Sequence, residues 1–158
     1  MDAATLKLLY GFNYMALQRN TAGLSHEDSL VQPQPAGNCL NWVLGHILAH
    51  RNDVMKLLGE GPAWEPERAV RYGRGAPPLT DGAEATPLDE LQATLAASQE
   101  RLVAALDGAT PERLAEPRPG QLAKTVGEWL AFLQFHEAYH VGQVALLRRA
   151  AGKEGAIR

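Results

Sequence analysis

The chain has 158 residues, 46% of them hydrophobic, and a formal net charge of −3. This length predicts one domain over residues 1–158 with a buried core, and the scattered lysines and arginines argue against a nucleic-acid surface. The single cysteine, Cys39, excludes an internal disulfide framework. Without a signal-peptide pattern or an apolar stretch of about 20 residues, we expect a cytoplasmic protein that binds neither nucleic acid nor membrane.

The first half of the chain predicts two helices. Apolar residues recur at helical spacing between residues 3 and 21, which predicts the first helix. The stretch SHEDSLVQPQPAG that follows is rich in residues that break helices. Asn38 fits the N-cap of a second helix over about residues 39–58, and Gly59 fits its end.

The second half predicts two more helices after a long Gly- and Pro-rich connection. A connection of that length without periodicity is typical of functional or disordered segments. Thr86 fits the N-cap of the third helix, with Pro87 at its first position. The stretch TPERL predicts one extra helical turn. Thr125 and Glu128 form a capping box for the fourth and longest helix, which we expect to reach about Arg149.

These four long helices predict an all-α protein, a four-helix bundle. The long crossover between helices two and three can span the length of the bundle, so those two helices can run parallel. The expected order is therefore up-down-down-up. An array of short helical repeats is the alternative fold.

Four of the five histidines occur in two pairs, His46 and His50 in GHILAH and His136 and His140 in FHEAYH. Residues four apart lie on one helix face, and both pairs fall on otherwise apolar stripes. Burying four imidazoles without partners costs a few kcal/mol each, whereas a shared metal ion removes that cost. The pattern therefore predicts a metal site. His26 lies in a predicted polar loop, where we expect it to be solvated.

The stretch HEAYH also matches the HExxH pattern of zinc proteases, with Glu137 in the position of the general base. The elongated protease pattern requires Gly at the position of Gln143 and His at the position of Leu146. Only 18 residues follow His140, which leaves little chain for a downstream acidic ligand. Glu137 also falls to one side of the predicted apolar stripe, so the sequence argues against a protease.

Three stretches, GNCLNWVLGHI, FHEAYHVGQVALLRR and RYGRG, resemble the DinB/YfiT-like superfamily of bacterial metal-binding four-helix bundles. The resemblance implies the up-down-down-up order and a homodimer. It also implies that His46, His136 and His140 hold a divalent metal ion. Members of this superfamily are not DNA polymerases despite the name.

The family pattern does not require His50. We rank its roles as a hydrogen-bonding partner behind the ligands, a fourth metal ligand, and a core residue, in that order. Asn13 and Gln143 are polar residues on core-facing stripes, where either can bind the second ring nitrogen of a ligand or a bound water. The alternative is that both are polar residues at an end of the bundle.

The RYGRG segment contributes candidate substrate contacts. Arg71 and Arg74 can clamp a substrate carboxylate, or they can be solvated. Tyr72 and Trp64 can form the wall of a pocket, or they can anchor the connection.

Three histidine ligands leave a metal ion with an open coordination position, which is typical of catalytic sites. Zinc is the first choice for imidazole ligands, and nickel, iron and manganese are compatible. The resemblance implies a transferase that moves a low-molecular-weight thiol to a small electrophile, with the metal holding the thiolate. The alternatives are a hydrolase that uses metal-bound hydroxide and a non-catalytic metal-binding stress-response protein.

Overall fold

The computed structural model describes residues 2–80 and 82–157, and its architecture is all-helical. Within these residues there are seven α-helices and no β-strand. The long helices are α1 (Ala3–Thr21), α3 (Leu40–Leu58), α5 (Leu88–Asp107) and α7 (Val126–Ala150). The short ones are α2 (His26–Leu30), α4 (Pro66–Ala69) and α6 (Pro111–Ala115), and two 3₁₀ turns lie at Val70–Tyr72 and Gly82–Glu84. The predicted all-α class is confirmed.

The long helices enclose the core. Both α1 and α3 pack against α5 and against α7. Buried polar contacts fix α1 on α7, because the Tyr10 hydroxyl donates to the Leu130 carbonyl (3.2 Å) and the Asn13 amide donates to the Gln134 carbonyl (3.3 Å). In the part of the chain that the structure describes, none of the helices has the length and apolar character that crossing a membrane requires.

The start of α3 differs from its prediction by one residue. Cys39, not Asn38, occupies the N-cap position, and its side chain makes no capping hydrogen bond. Cys39 is fully buried, so packing rather than capping chemistry sets this boundary. The predicted end is confirmed, because Gly59 adopts the left-handed conformation (φ 85°) that glycine tolerates best.

The start of α5 is also shifted. Pro87 occupies the N-cap position, and Thr86 lies one residue before it. Thr86 is buried, and its backbone N–H donates to the Tyr72 hydroxyl at 2.8 Å, so the threonine serves a tertiary contact instead of the cap. The prediction for α7 is confirmed: the capping box between Thr125 and Glu128 is present on both sides.

The connections contain more ordered structure than their composition predicts. Ser25 and Asp28 form a second capping box, which starts α2. His26 is the first residue of this helix, and its half-buried ring has an Nδ1 atom with no hydrogen-bond partner among the described residues. The expectation of a solvated loop histidine is therefore wrong. The extra turn predicted from TPERL is confirmed as α6, capped by Thr110.

The buried face of α7 overlaps the predicted stripe at Leu133, Val144 and Leu147 but is rotated by less than one residue away from the histidines. Its centre runs through Leu130, Glu137 and Val141, which are all buried, whereas His136 and His140 are half-buried at its edge. One residue corresponds to about 100° around a helix, and a rotation smaller than this is enough to move the histidines from the middle of the core to its boundary.

Candidate metal centre

Two facing helices bring four histidines into one cluster. His46 and His50 extend from α3, and His136 and His140 extend from α7. The ring centroids of His50 and His136 are 4.2 Å apart, and those of His46 and His140 are 4.7 Å apart. His46 is buried and the other three are half-buried. The cluster is thus close enough to the surface for a small molecule to approach it.

The ring nitrogens have the spacing that a shared metal ion requires. The Nε2 atoms of His136 and His140 are 3.2 Å apart. Two nitrogens bound to one tetrahedral zinc ion at the usual bond length lie roughly 3.3 Å apart. One nitrogen from each of His46, His50 and His136 also forms a group within 4.8 Å. The described residues therefore fit a divalent metal ion, with one group of three close nitrogens, from His46, His50 and His136, and one close pair, from His136 and His140.

Two of the four imidazoles are oriented by hydrogen bonds. Nδ1 of His46 lies 2.7 Å from the Tyr72 carbonyl, and Nδ1 of His140 lies 2.7 Å from the Gln143 side-chain oxygen. Because both partners are acceptors, we assign the proton to Nδ1 in each ring. Each Nε2 atom then carries a free lone pair, which is the state that binds a metal ion.

The other two imidazoles lack such partners. Among the described residues, Nδ1 of His50 and Nδ1 of His136 have no hydrogen bond although both atoms are buried. The Asp53 carboxylate is 3.5 Å from Nδ1 of His50, which is too long for a useful hydrogen bond. Unpartnered imidazole nitrogens inside a protein are costly. A ligand that reached these Nδ1 atoms would relieve that cost, whereas a metal ion at Nε2 of His136 would leave its Nδ1 atom unpartnered.

Burial favours the neutral form of His46, His136 and His140. Loss of solvent contact lowers the pKa of His46 and of His136 from 6.5 to about 4, and it also lowers the pKa of His140. Hydrogen bonding opposes this shift at His46 and His140, whereas the neighbouring imidazoles reinforce it. Since only the neutral ring binds a metal ion, these side chains are ready to bind at neutral pH.

The predicted substrate contacts Arg71 and Tyr72 both have structural partners. The Arg71 guanidinium donates to the Glu84 carboxylate at 3.0 Å and to the Pro77 carbonyl at 2.8 Å. Tyr72 is buried against Gly45, where an added Cβ would lie 2.2 Å from the tyrosine ring. Position 45 therefore requires glycine, because the Tyr72 ring packs directly against its backbone. This packing places the Tyr72 carbonyl within reach of His46.

Trp64 and Asn13 also anchor the fold. Trp64 is buried 5.4 Å from the Tyr72 ring, and its backbone N–H donates to the Asn52 side chain. Asn13 is buried and uses its amide to hold α7 through the Gln134 carbonyl. We find no contact in the described residues that links either side chain to the histidine rings.

An open cavity of about 570 Å³ adjoins the histidine cluster. It reaches the cluster at His46 and His140, while His50 and His136 are not in its described lining. The lining also includes Trp42, Arg74, Tyr139 and Gln143. This volume is in the range of small-molecule sites.

Comparison with family models gives a match to the DinB superfamily over residues 10–144. The chain belongs to the DinB superfamily. The match runs from within α1 to within α7 and includes all four clustered histidines. A comparison with curated proteins found no match. Family membership and the histidine cluster are both compatible with metal binding.

In this DinB-superfamily protein a buried ion pair joins the two helices that carry the histidines. The carboxylate of Glu137 accepts from Nε and Nη2 of Arg51, each at 3.0 Å. Both side chains are almost fully buried, with 1% and 4% exposure for Arg51 and Glu137. Arg51 also donates to Ser98 (2.6 Å) and to Gln99 (3.0 Å) on α5.

The ion pair argues against a protease. It also corrects the predicted position of Glu137, which was expected to one side of the apolar stripe but is buried. Both carboxylate oxygens of Glu137 bind Arg51, so this residue is not a free general base. Sequence reasoning missed the pair because it treated each charged residue alone. The available signal was that Arg51 follows the second histidine of its pair and Glu137 follows the first histidine of the other pair, positions that face each other when the two helices run antiparallel.

We predict that breaking this pair strongly destabilises the fold. Arg51→Met leaves a buried carboxylate unpaired, and Glu137→Gln leaves a buried guanidinium unpaired; each should lower the free energy of unfolding by roughly 3–5 kcal/mol. Urea titration measures the effect. Lys7→Met is the control, because the Lys7–Asp107 pair is exposed and contributes less than about 1 kcal/mol. A loss below about 1 kcal/mol in either core variant contradicts the prediction.

The lowered histidine pKa values predict a pH-dependent stability for the metal-free protein. In the unfolded chain these imidazoles take up protons near pH 6.5, but His46 and His136 of the folded chain do so only near pH 4. The unfolded state therefore gains protons first, and the free energy of unfolding falls as the pH drops from about 6.5 to 4. Above about pH 6.5 both states hold these histidines neutral, so their contribution to the free energy of unfolding is fully present.

Chelator-treated protein unfolded in urea across this pH range provides the measurement. The double variant His46→Gln, His136→Gln removes the two groups and should show a shallower fall between pH 6.5 and 4. Equal slopes for the variant and the natural chain would show that other groups control the acid sensitivity.

Proposed function

We propose that this protein binds a divalent metal ion through His46, His136 and His140 and transfers a low-molecular-weight thiol to a small electrophile. The observation that carries the proposal is the position of His46 and His140. Both line the open cavity, and both have Nδ1 held by a hydrogen bond so that Nε2 is free. Zinc is the first choice of metal, with nickel, iron and manganese compatible.

Hydrogen bonding behind the rings supports this choice of ligands. Metal-binding histidines usually donate their second ring N–H to a carbonyl or carboxylate oxygen. His46 and His140 have such partners, and Nε2 of His136 lies 3.2 Å from Nε2 of His140. His50 has no hydrogen-bonded partner at Nδ1. Nδ1 of His136 also lacks a partner, so the choice of His136 and His140 over His50 rests on their 3.2 Å Nε2–Nε2 contact and on the family resemblance. The group of three close nitrogens contains His50 and not His140, which keeps His50 as an alternative ligand.

The proposal includes the up-down-down-up order of the long helices. Contacts that advance together along both helices support a parallel pair, and contacts that advance in opposite senses support an antiparallel pair. The contacts Tyr10–Leu130 and Asn13–Gln134 support α1 running parallel to α7. The contacts Asn41–Thr86 and Arg51–Ser98 support α3 running parallel to α5. The contacts His46–His140 and His50–His136 support α3 running antiparallel to α7.

The chain's own residues suit thiol transfer. A bound divalent ion would lower the pKa of a thiol and hold it as the nucleophilic thiolate. Neutral imidazoles leave the charge of such an ion uncompensated, which favours an anionic partner, and the cavity gives that partner access at His46 and His140. In the transfer the thiol releases its proton, sulfur forms a bond to the electrophilic carbon, and the displaced electron pair departs with the leaving group.

Two alternatives are favoured by specific features. The cavity is open enough to admit water, which favours a hydrolase. The nearness of His50 to His46 and His136 favours a closed four-histidine site, which is typical of non-catalytic metal binding.

The ligand assignment predicts the metal content of single variants. His46→Ala, His136→Ala and His140→Ala each remove a direct bond, so each should weaken zinc binding by more than the 10- to 100-fold expected for Gln143→Ala. His50→Ala should retain most of the bound zinc. Competition with a chromophoric chelator gives the dissociation constants, and His26→Ala is a histidine control outside the cluster. Loss of zinc from the His50 variant with retention in the His140 variant would assign His46, His50 and His136 instead.

Thiol binding provides the test of the function. Cobalt replaces the native ion, and glutathione or cysteine is then added. Direct coordination of sulfur should produce an intense charge-transfer band in the near ultraviolet, with release of one proton for each thiol bound. The metal-free protein and His136→Ala should show no band.

The same titration separates the alternatives. Cobalt-loaded protein that gives no band with either thiol would contradict the transferase and favour the hydrolase. If the band is absent and His50→Ala restores it, the site is closed by a fourth histidine and the non-catalytic alternative is favoured.

A further inference from the structure

The cavity beside the histidines contains one unpaired positive charge. Arg74 is the only permanently charged residue in its described lining. The Arg74 side chain is exposed, and no hydrogen bond or ion pair holds it within the described residues. Nearby arginines differ, because Arg68 binds Glu90 and Arg71 binds Glu84. Of these three, only Arg74 is available to a ligand.

Most of the remaining described lining is apolar or aromatic, and its polar side chains besides the two histidines are Asn38 and Gln143. The Trp42 ring forms part of the wall and stacks on His46, with centroids 4.7 Å apart and an angle of 17° between the planes. Tyr139 and Leu146 lie on α7 with 60% and 69% exposure and also line the cavity. No carboxylate occurs among the described lining residues. An anion therefore meets no negative side chain there.

We propose that this cavity binds a small carboxylic acid with an apolar or aromatic body, and that Arg74 binds its carboxylate. The guanidinium is a planar fork that matches a carboxylate with two parallel hydrogen bonds. The apolar body then lies against Trp42 and Leu146, and the remainder of the molecule points toward His46 and His140. This inference rests on the proposed function: the small electrophile that accepts the thiol would be a molecule that carries a carboxylate.

A single arginine favours a carboxylate over a phosphate monoester. A phosphate carries up to two charges and three acceptor oxygens, and it usually requires several donors. The described lining has one guanidinium, which matches one carboxylate. Apolar walls in turn disfavour a small, fully hydrated anion.

The experiment compares 3-phenylpropanoate with its neutral amide, 3-phenylpropanamide, by isothermal titration calorimetry. Each probe is titrated into the full chain in the zinc-loaded and in the metal-free state. We expect the carboxylate to bind roughly five- to tenfold more tightly than the amide in both states. Arg74→Gln should abolish this preference and leave the affinity for the amide unchanged. Arg19→Gln, which removes an exposed arginine from α1 outside the cavity lining, should preserve it.

Each other outcome has a defined meaning. If Arg74→Gln still binds the carboxylate more tightly than the amide, the inference is wrong. If that remaining preference occurs only in the zinc-loaded protein, the metal ion binds the carboxylate, and the proposed metal site stands. Tighter binding of phenyl phosphate, or no binding of 3-phenylpropanoate to the natural chain, also overturns the inference. If zinc does not bind but the preference in the metal-free protein depends on Arg74, the inference stands and the proposed function fails.

Discussion

The buried ion pair between Arg51 and Glu137 is the interaction on which the histidine cluster depends. Removing two such charges from water costs several kcal/mol per ion, and good geometry is needed to offset it. The structure supplies that geometry through two hydrogen bonds between the side chains and further bonds from Arg51 to α5. Since any slip between α3 and α7 would leave both charges unpaired in the core, the pair fixes the register of these helices.

That register places the histidines. Arg51 directly follows His50, and Glu137 directly follows His136. When the two charged residues meet at the centre of the core, the preceding residues lie about 100° around each helix and face each other at the edge. The His50 and His136 rings are accordingly 4.2 Å apart. The burial of the ion pair and the accessibility of the imidazoles therefore have the same geometric cause.

Sequence periodicity was sufficient for the all-helical class, for the bounds of α1 and for the capping box of α7, because these depend on local interactions. It failed by one residue at the starts of α3 and α5, where the buried Cys39 and the contact between Thr86 and Tyr72 prevail over local capping preferences. The metal ligands, the homodimer and the cytoplasmic location stay predictions.

The local contacts around the cluster were less accessible to sequence reasoning. The pairing of histidines was visible from their spacing, since residues four apart share a face. The hydrogen bond from His46 to the Tyr72 carbonyl was not, because it joins a helix to a backbone atom 26 residues away. It also depends on Gly45, whose missing side chain admits the Tyr72 ring. No periodic pattern encodes a contact of this kind.

The charges around the histidine cluster would leave a bound metal ion without a neutralising protein carboxylate. Glu137, the acid nearest to His136 in sequence, is neutralised by Arg51. The Asp53 side chain near His50 is 64% exposed, so water screens its charge. The imidazoles of His46 and His136 are neutral at pH 7, since burial lowers their pKa to about 4. A divalent cation at this position would keep most of its charge and would attract an anion from the cavity where Arg74 lies. Thiolates and carboxylates are both anions that such a site would favour, and in the proposed binding mode Arg74 would bind the carboxylate at a second position of the same cavity.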